Sequence, residues 1–140
     1  TIMPGSMTIS EHISAEDLQY GDVVLFFPEI DPTFSVPNFL VSLKLTYIDK
    51  LHVLSKRVVG LPGDVIEVHD GYLWRNGGKQ IEEYVADSTD GEFGPYTVPD
   101  ESIFCMGDNR NYSMDSRKYG AFPYNGFFGR IRFVLPPLFS

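Results

Sequence analysis

The sequence KRVVGLPGD at residues 56–64 follows an apolar run and ends in a Pro-Gly turn, which predicts a strand over residues 52–59. Because side chains alternate between the two faces of a strand, Lys56 shares a face with Leu54 and Val58. An ammonium between aliphatic side chains must reach water, pair with a carboxylate or lose its proton. The first two are the usual states of a strand lysine, and the third would make Lys56 a general base. This stretch alone leaves a structural and a catalytic interpretation open.

The composition favours a mainly β fold. The chain has 140 residues, 43% of them hydrophobic, which is enough for one ordinary domain with a real core. Glycine (13), proline (10) and aromatic residues (14%) are plentiful, whereas helical periodicity is scarce. Short strands joined by turns fit this composition best. We therefore expect residues 1–140 to form a single, mainly β domain with short helices.

The charge, cysteine and histidine content argue against several kinds of function. A net charge of −8 argues against a nucleic-acid surface, which requires a basic face. The single cysteine, Cys105, excludes an internal disulfide and lies in an apolar run, so we expect a buried thiol. His12, His52 and His69 lack metal-ligand spacing, and no apolar run approaches the ~20 residues of a transmembrane helix. We therefore expect no nucleic acid, no metal and no membrane-spanning segment in this chain.

The rest of the chain has the pattern of short strands and turns. The pairs Asp70-Gly71 and Asn76-Gly77 separate alternating runs and predict two hairpin turns. A short helix is predicted from Ser14 to about Gln19. The predicted strands, besides the one at residue 56, cover residues 23–27, 64–69, 72–75, 102–106 and 128–135.

Other segments give weaker or negative signals. Loops are predicted at residues 28–36 and 83–97, which carry prolines, glycines or many acidic residues. Residues 1–13 show no clear period. Residues 38–51 fit a helical stripe and strand alternation about equally, and they are apolar enough for core packing or for a hydrophobic edge that faces a membrane or partner.

A second polar stretch, GDNRNYSMDSR at residues 107–117, directly follows a predicted apolar strand. It places two Asp, two Arg and two Ser in eleven residues, a density that suggests Asp–Arg pairs and hydroxyls bonded to the backbone. On this chemistry, the stretch is either a structural turn or a functional site. A third candidate, Ser6 in Gly5-Ser6-Met7, carries no information by itself.

Taken together, KRVVGLPGD and GDNRNYSMDSR closely resemble the two most diagnostic motifs of bacterial type I signal peptidases. Their order, the hairpin between them and the strand YGDVVLFF at residues 20–27 are also similar to that family. The self-cleaving repressor proteases share serine–lysine chemistry, but they lack a motif like residues 107–117. The resemblance implies a fold of coiled antiparallel sheets with a barrel-like or sandwich-like body.

The resemblance also implies a catalytic mechanism without a cofactor or metal. In it, Lys56 is the general base of a Ser–Lys dyad, and its amine must be neutral near pH 7. Arg57 points to the opposite face of the strand and cannot replace it. By the same resemblance, Ser6 matches the nucleophile, Met7 a substrate contact and Ser113 a hydroxyl that orients the lysine. Asp115 with Arg117 matches a supporting ion pair, and Asp108 matches a further structural acid.

The segment around Ser6 departs from the family pattern. Ser6-Met7 is not followed by the family's Pro-Thr, and Pro4 stands where many relatives have a hydroxyl. Three interpretations stay open: Ser6 is the nucleophile of a divergent enzyme, Gly-Ser-Met is a cloning remnant, or the sequence joins segments across an absent loop.

By resemblance, we expect an endopeptidase that removes signal peptides from exported preproteins. Its partners would be these signal peptides and, through an anchor outside this chain, membrane lipid, with the catalytic domain on the extracytoplasmic side. The alternative is a catalytically inactive relative that binds or assembles secreted or pilus proteins. The intact Lys56 argues for the enzyme, and the missing Pro-Thr argues for the alternative.

Overall fold

The computed structural model describes residues 7–26 and 54–135, which form two antiparallel sheets. The larger sheet has the order β1-β10-β2-β3-β8-β9, and the smaller has the order β6-β5-β4-β7. The strands are β1 (Met7–Glu11), β2 (Val23–Phe26), β3 (Leu54–Gly60), β4 (Val65–His69), β5 (Tyr72–Arg75), β6 (Gly78–Lys79), β7 (Phe93–Thr97), β8 (Ser102–Met106), β9 (Phe122–Pro123) and β10 (Phe127–Leu135). The mainly β prediction is confirmed. Within the described ranges the larger sheet is open, with β1 and β9 at its edges, so the body is two sheets and not a closed barrel.

Strand β3 connects the two hydrophobic cores. Val58 packs in one core with β2 and β8, and the next residue, Val59, packs in the other core with the smaller sheet. This division follows from the alternation of side chains along a strand. At the end of β3, a Cβ on Gly60 would lie 2.9 Å from the Ile66 side chain and 3.0 Å from Phe104, so only glycine allows the two sheets to approach this closely.

The strongest sequence signals are confirmed. Strands appear at the predicted positions around residues 23, 56, 66, 73, 104 and 131. Both residues of each predicted hairpin turn have positive φ: 53° and 82° at Asp70-Gly71, and 52° and 76° at Asn76-Gly77. These are the left-handed conformations that two-residue hairpins require. Cys105 is fully buried, as expected.

Three predictions of local structure need correction. The region without a period, residues 1–13, contains β1, which pairs with β10 through five residues only, too few for a clear pattern. The loop predicted at 83–97 is wrong over its last five residues, which form β7. Gly94 and Pro95 are tolerated there because β7 pairs with β4 alone among the described strands. The helix predicted from Ser14 is a shorter 3-10 helix, Ala15–Asp17.

Several predictions fall outside the described residues. These are the loop at 28–36, the ambiguous segment at 38–51 and the position of Ser6. The extent of the domain over residues 1–140 stays a prediction. In the described part of the chain, no helix combines the length and the apolar character needed to cross a bilayer.

Candidate active site

Lys56 lies in the middle of β3, where β2 pairs with it on one side through Val24. Its half-buried side chain lines a cavity of about 470 Å³. The far walls of this cavity come from the loop after β8, through Gly107 and Ser113, and from β10, through Val134. Residues that are distant in sequence therefore meet around a single lysine because the sheet places β3 between β2 and β8.

The pKa of Lys56 is lowered from its ordinary value of 10.5. Burial is the main cause, because desolvation disfavours the ammonium, and the positive charge of Arg117 acts in the same direction. The negative groups nearby, chiefly Asp115, oppose this effect without cancelling it. Lys56 forms no salt bridge with any residue in the described ranges. The pocket therefore makes the Lys56 ammonium easier to deprotonate than that of an exposed lysine, as a group that must accept a proton requires.

Gly107 is the point where Lys56 and Ser113 come together. A Cβ built on Gly107 would overlap Ser113 Oγ and would lie 3.6 Å from Lys56 Nζ. Glycine is therefore required here for close approach. Ser113 Oγ is buried and makes no hydrogen bond of normal geometry with the described residues, although the serine lies near enough to Asp115 to help lower the pKa of that carboxyl.

Asp115 holds the loop beneath this cavity from a fully buried position. Its carboxylate accepts hydrogen bonds from the Gly107 amide at 3.0 Å and from Arg117 Nε at 2.9 Å and Nη2 at 2.8 Å. Burial alone would raise the pKa of Asp115, but these hydrogen bonds and the charge of Arg117 outweigh burial and lower the pKa. The carboxylate is therefore ionised and fixes the backbone next to Lys56.

Arg57 is held in a different way from its neighbour Lys56. Its Nε and Nη2 donate to the Asp108 carboxylate at 2.8 and 2.6 Å, and its Nη1 donates to the Gly21 carbonyl at 2.8 Å. The hydrogen bonds that Arg57 donates to Asp108 are the main reason that the pKa of Arg57 is raised. Arg57 is thus a permanent cation that ties β3 to the loop after β8 and to the turn before β2.

Comparison with known proteins identifies the family. The family model described as "Signal peptidase, peptidase S26" matches residues 1–136. The chain belongs to this family. Among similar proteins, a probable signal peptidase I-2 from Synechocystis is 42% identical over 140 residues, with 94% of this chain and 58% of the relative covered. A probable thylakoidal processing peptidase 2 from Arabidopsis thaliana is 35% identical over 137 residues, with 95% of this chain and 35% of the relative covered.

A solved structure supports the same assignment. The crystal structure of a signal peptidase I from Enterococcus faecalis aligns with a TM-score of 0.60 and 25% identity, over 83% of this chain and 97% of that one. The chain spans 35 to 65% of the length of the first three curated relatives it matches. Membership of the signal peptidase family therefore rests on most of this chain but on only part of those longer relatives.

Most of the residues predicted for a signal peptidase site lie together. Lys56, Ser113 and Asp108 line one cavity, and Asp115 with Arg117 forms an ion pair beneath it. Ser6 lies outside the described residues. Met7 begins β1 opposite Leu135, and nothing is described of its side chain. The assignment of catalytic roles to these residues stays a prediction.

The sequence patterns did not predict two residues that contact arginines of this site from outside, Glu82 and Tyr84. Glu82 forms a bidentate salt bridge with Arg110, at 2.7 and 2.8 Å, and both side chains are nearly buried, with 9% and 1% exposed. Tyr84 lies over the Arg57 guanidinium, 3.9 Å from ring centroid to Cζ. No local signal marks these contacts, because residues 107–117 carry two Asp and two Arg and their charges already balance.

Proposed function

We propose that this protein is a serine endopeptidase that removes N-terminal signal peptides from exported preproteins through a Ser–Lys dyad. The observation that carries the proposal is Lys56: a half-buried amine with a lowered pKa, in a cavity with Ser113, without a salt bridge to any residue of the described ranges. A structural lysine is normally solvated or paired with a carboxylate. The lowered pKa of Lys56 therefore favours the enzyme over the inactive binding or assembly factor.

In the proposed mechanism, Ser6 is the nucleophile. Met7, which follows Ser6 directly, begins β1 opposite Leu135, and the neighbouring Val134 lines the cavity of Lys56. Ser6 Oγ attacks the scissile carbonyl carbon while Lys56 Nζ takes the hydroxyl proton. The resulting ammonium then gives this proton to the leaving amine. A water molecule that loses a proton to Lys56 then attacks the acyl-enzyme, and the Lys56 ammonium gives this proton to Ser6 Oγ as the ester bond breaks.

The other predicted residues have supporting roles in the proposal. Ser113 orients the Lys56 amine, and the Asp115–Arg117 pair with Asp108 keeps the loop in place. The substrate binds as an extended strand beside Met7 at the edge of β1, which pairs with β10 alone among the described strands. The proposed enzyme acts at a membrane, with this domain on the extracytoplasmic side, and it needs no cofactor.

The test is cleavage of a preprotein by this chain in the presence of detergent or lipid. We expect cleavage by the wild type and none by Lys56→Met or Ser6→Ala. Ser10→Ala, which changes another serine in the same segment, is the matched control and should retain activity. Cleavage that survives Ser6→Ala would remove Ser6 from the mechanism. Binding of the signal peptide without any cleavage would support the inactive relative instead.

A further inference from the structure

The acidic segment between β6 and β7 is attached to the loop that follows β8. We call residues 80–90 the acidic strap and residues 107–113 the catalytic loop. Near the end of the strap, the Asn111 side chain accepts from the Asp90 amide at 2.9 Å and donates to the Ser88 carbonyl at 3.0 Å. The amide of Thr89 donates to Gly71 at 2.9 Å, which fixes the strap to the hairpin of the smaller sheet. The strap thus connects that sheet to the loop beside Lys56.

The first strong contact of the strap is the salt bridge between Glu82 and Arg110. Both oxygens of the carboxylate are used, and the pair is almost completely removed from water. The same guanidinium donates from Nε to the Gly107 carbonyl at 3.1 Å. A Cβ built on Gly107 would overlap Ser113 Oγ and would lie 3.6 Å from Lys56 Nζ, so a short path of neighbouring residues runs from Glu82 through Arg110 and Gly107 to the lysine.

The second strong contact is the stacking of Tyr84 on Arg57. The Tyr84 hydroxyl donates to Glu82 Oε1 at 2.8 Å, so the two strap residues act as one unit. Burial and the neighbouring Glu82 raise the pKa of Tyr84 to about 12, which keeps this hydroxyl protonated. Arg57 in turn binds Asp108, the residue next to Gly107. The strap therefore contacts both arginines that hold Gly107 and Asp108 in place.

We propose that Glu82 and Tyr84 are positioning residues for the catalytic lysine. These two residues hold Gly107 and Asp108 close to Lys56 and so keep water from its amine. This role rests on the proposed function only in that Lys56 is taken as the base. The strap does not touch the reacting atoms. It acts through Arg110 and Arg57 on the backbone that closes the cavity.

The proposal makes a signed prediction for the titration of Lys56. The groups that act most strongly on this amine are Asp115, Arg117, Cys105 and Asp108, all outside the strap. If the strap is released, water reaches the amine, desolvation is relieved and the pKa of Lys56 rises. If Glu82 acted only as a nearby negative charge, its removal would lower that pKa. The two effects have opposite signs.

The first experiment removes the stacking contact without changing charge. Tyr84→Leu is compared with Tyr72→Leu, since Tyr72 has similar exposure and a similar contact, with Lys79 over its ring at 3.3 Å, in the smaller sheet. The midpoint of the Lys56 titration is read from the NMR signal of the Lys56 Cε atom, which is next to Nζ. This signal is assigned as the one that the Lys56→Arg variant lacks. We expect an upward shift of about half a pH unit or more in Tyr84→Leu and none in Tyr72→Leu. An unchanged or lower midpoint in a folded Tyr84→Leu protein would overturn the proposal.

The second experiment tests the other half of the strap. Glu82→Ala is compared with Glu83→Ala, an exposed neighbour with the same charge. We expect an upward shift of the Lys56 midpoint in Glu82→Ala only, together with a kcat about tenfold lower and a KM close to wild type. If Glu82→Ala does not fold, Tyr84→Leu decides the question. If the wild type cleaves no preprotein, the proposed function fails, but the NMR titration still tests the role of the strap.

Discussion

Buried positive charge is paired with carboxylates around the loop that closes the cavity, whereas the Lys56 amine in the cavity has no such partner among the described residues. At and around this loop, three partly or fully buried arginines each have a carboxylate at 2.6 to 2.8 Å: Asp108 for Arg57 of β3, Glu82 for Arg110 and Asp115 for Arg117. In the cavity, Lys56 has no such partner among the described residues, and its pKa falls instead. Two neighbours in one strand, Lys56 and Arg57, thus have opposite shifts in pKa.

This difference shows what the paired charges contribute. Buried ion pairs add little net stability, but the loss of one partner is strongly destabilising, so they fix one arrangement of the loop. That arrangement places Gly107 and Ser113 near the Lys56 amine, which forms no ion pair with a carboxylate of the described residues. Charge pairs thus order the loop, whereas the buried amine of Lys56 has a lowered pKa. Three substitutions test this contrast, from the largest expected effect to the smallest.

The largest effect is expected from Lys56→Met, which removes the unpaired amine. Loss of the general base should lower kcat/KM by roughly 10³–10⁴-fold. The variant should also be more stable than wild type at pH 7, because the folded state of the wild type resists protonation of Lys56 and the unfolded state does not. The comparison is made by preprotein cleavage and by thermal unfolding.

The pH dependence of this gain has a fixed sign. The pKa of Lys56 is lower in the folded protein than its ordinary value of 10.5, so the unfolded state binds more protons between the two values. The stability of the wild type therefore rises with pH through this window, and the advantage of Lys56→Met should shrink as pH approaches 10.5. A variant that is less stable than wild type at pH 7 would contradict a desolvated, unpaired lysine.

A smaller effect in free energy is expected from Asp115→Ala, which breaks the paired side of the comparison. Asp115 is fully buried and Arg117 is 17% exposed, so the variant should lose about 3–5 kcal/mol of unfolding free energy. The pKa of Asp115 is below 3.8 in the folded protein, so this contribution is present above pH 3.8 and disappears as pH falls through the folded value. Chemical denaturation at pH 7 measures the loss, and Asp87→Ala, at an exposed acid, is the control. Equal stabilities for the two variants would disprove the role of the pair.

Local patterns in the sequence predicted the elements that position the site. The run before Lys56, the apolar run before Gly107 and the two hairpin turns each have a period or a turn signal within a few residues. Motif resemblance then supplied Lys56, Ser113 and the Asp115–Arg117 pair. Each of these residues lies in one of two short segments, so a motif can identify them without knowledge of how the fold brings the two segments together.

The contacts that the sequence did not predict join distant residues without a pattern of their own. Glu82 is 28 residues from Arg110 and lies among other acids, so nothing local distinguishes it from Glu83. The same limit explains β7: its Gly94 and Pro95 predict a loop, and only pairing with β4 at a sheet edge makes a strand there. Edge strands and long-range ion pairs are decided by tertiary structure, which single-sequence patterns do not contain.

The smallest effect is expected from Ser113→Ala, compared with Ser116→Ala in the short helix Ser116–Tyr119 that follows the loop. Ser116 Oγ accepts a hydrogen bond from the Cys105 amide at 2.9 Å, so Ser116→Ala should lose about 1–3 kcal/mol of unfolding free energy. Ser113 Oγ makes no hydrogen bond of normal geometry with the described residues and acts there only by helping to lower the pKa of Asp115, so its removal should cost less stability than Ser116→Ala. Its place against Gly107, beside Lys56, predicts instead a kcat/KM roughly ten- to a hundredfold lower, because the amine loses a group that orients it. One serine would then affect folding and the other cleavage. If Ser113→Ala lost as much stability as Ser116→Ala and kept its activity, the buried hydroxyl would serve to hold the loop together and not to orient Lys56.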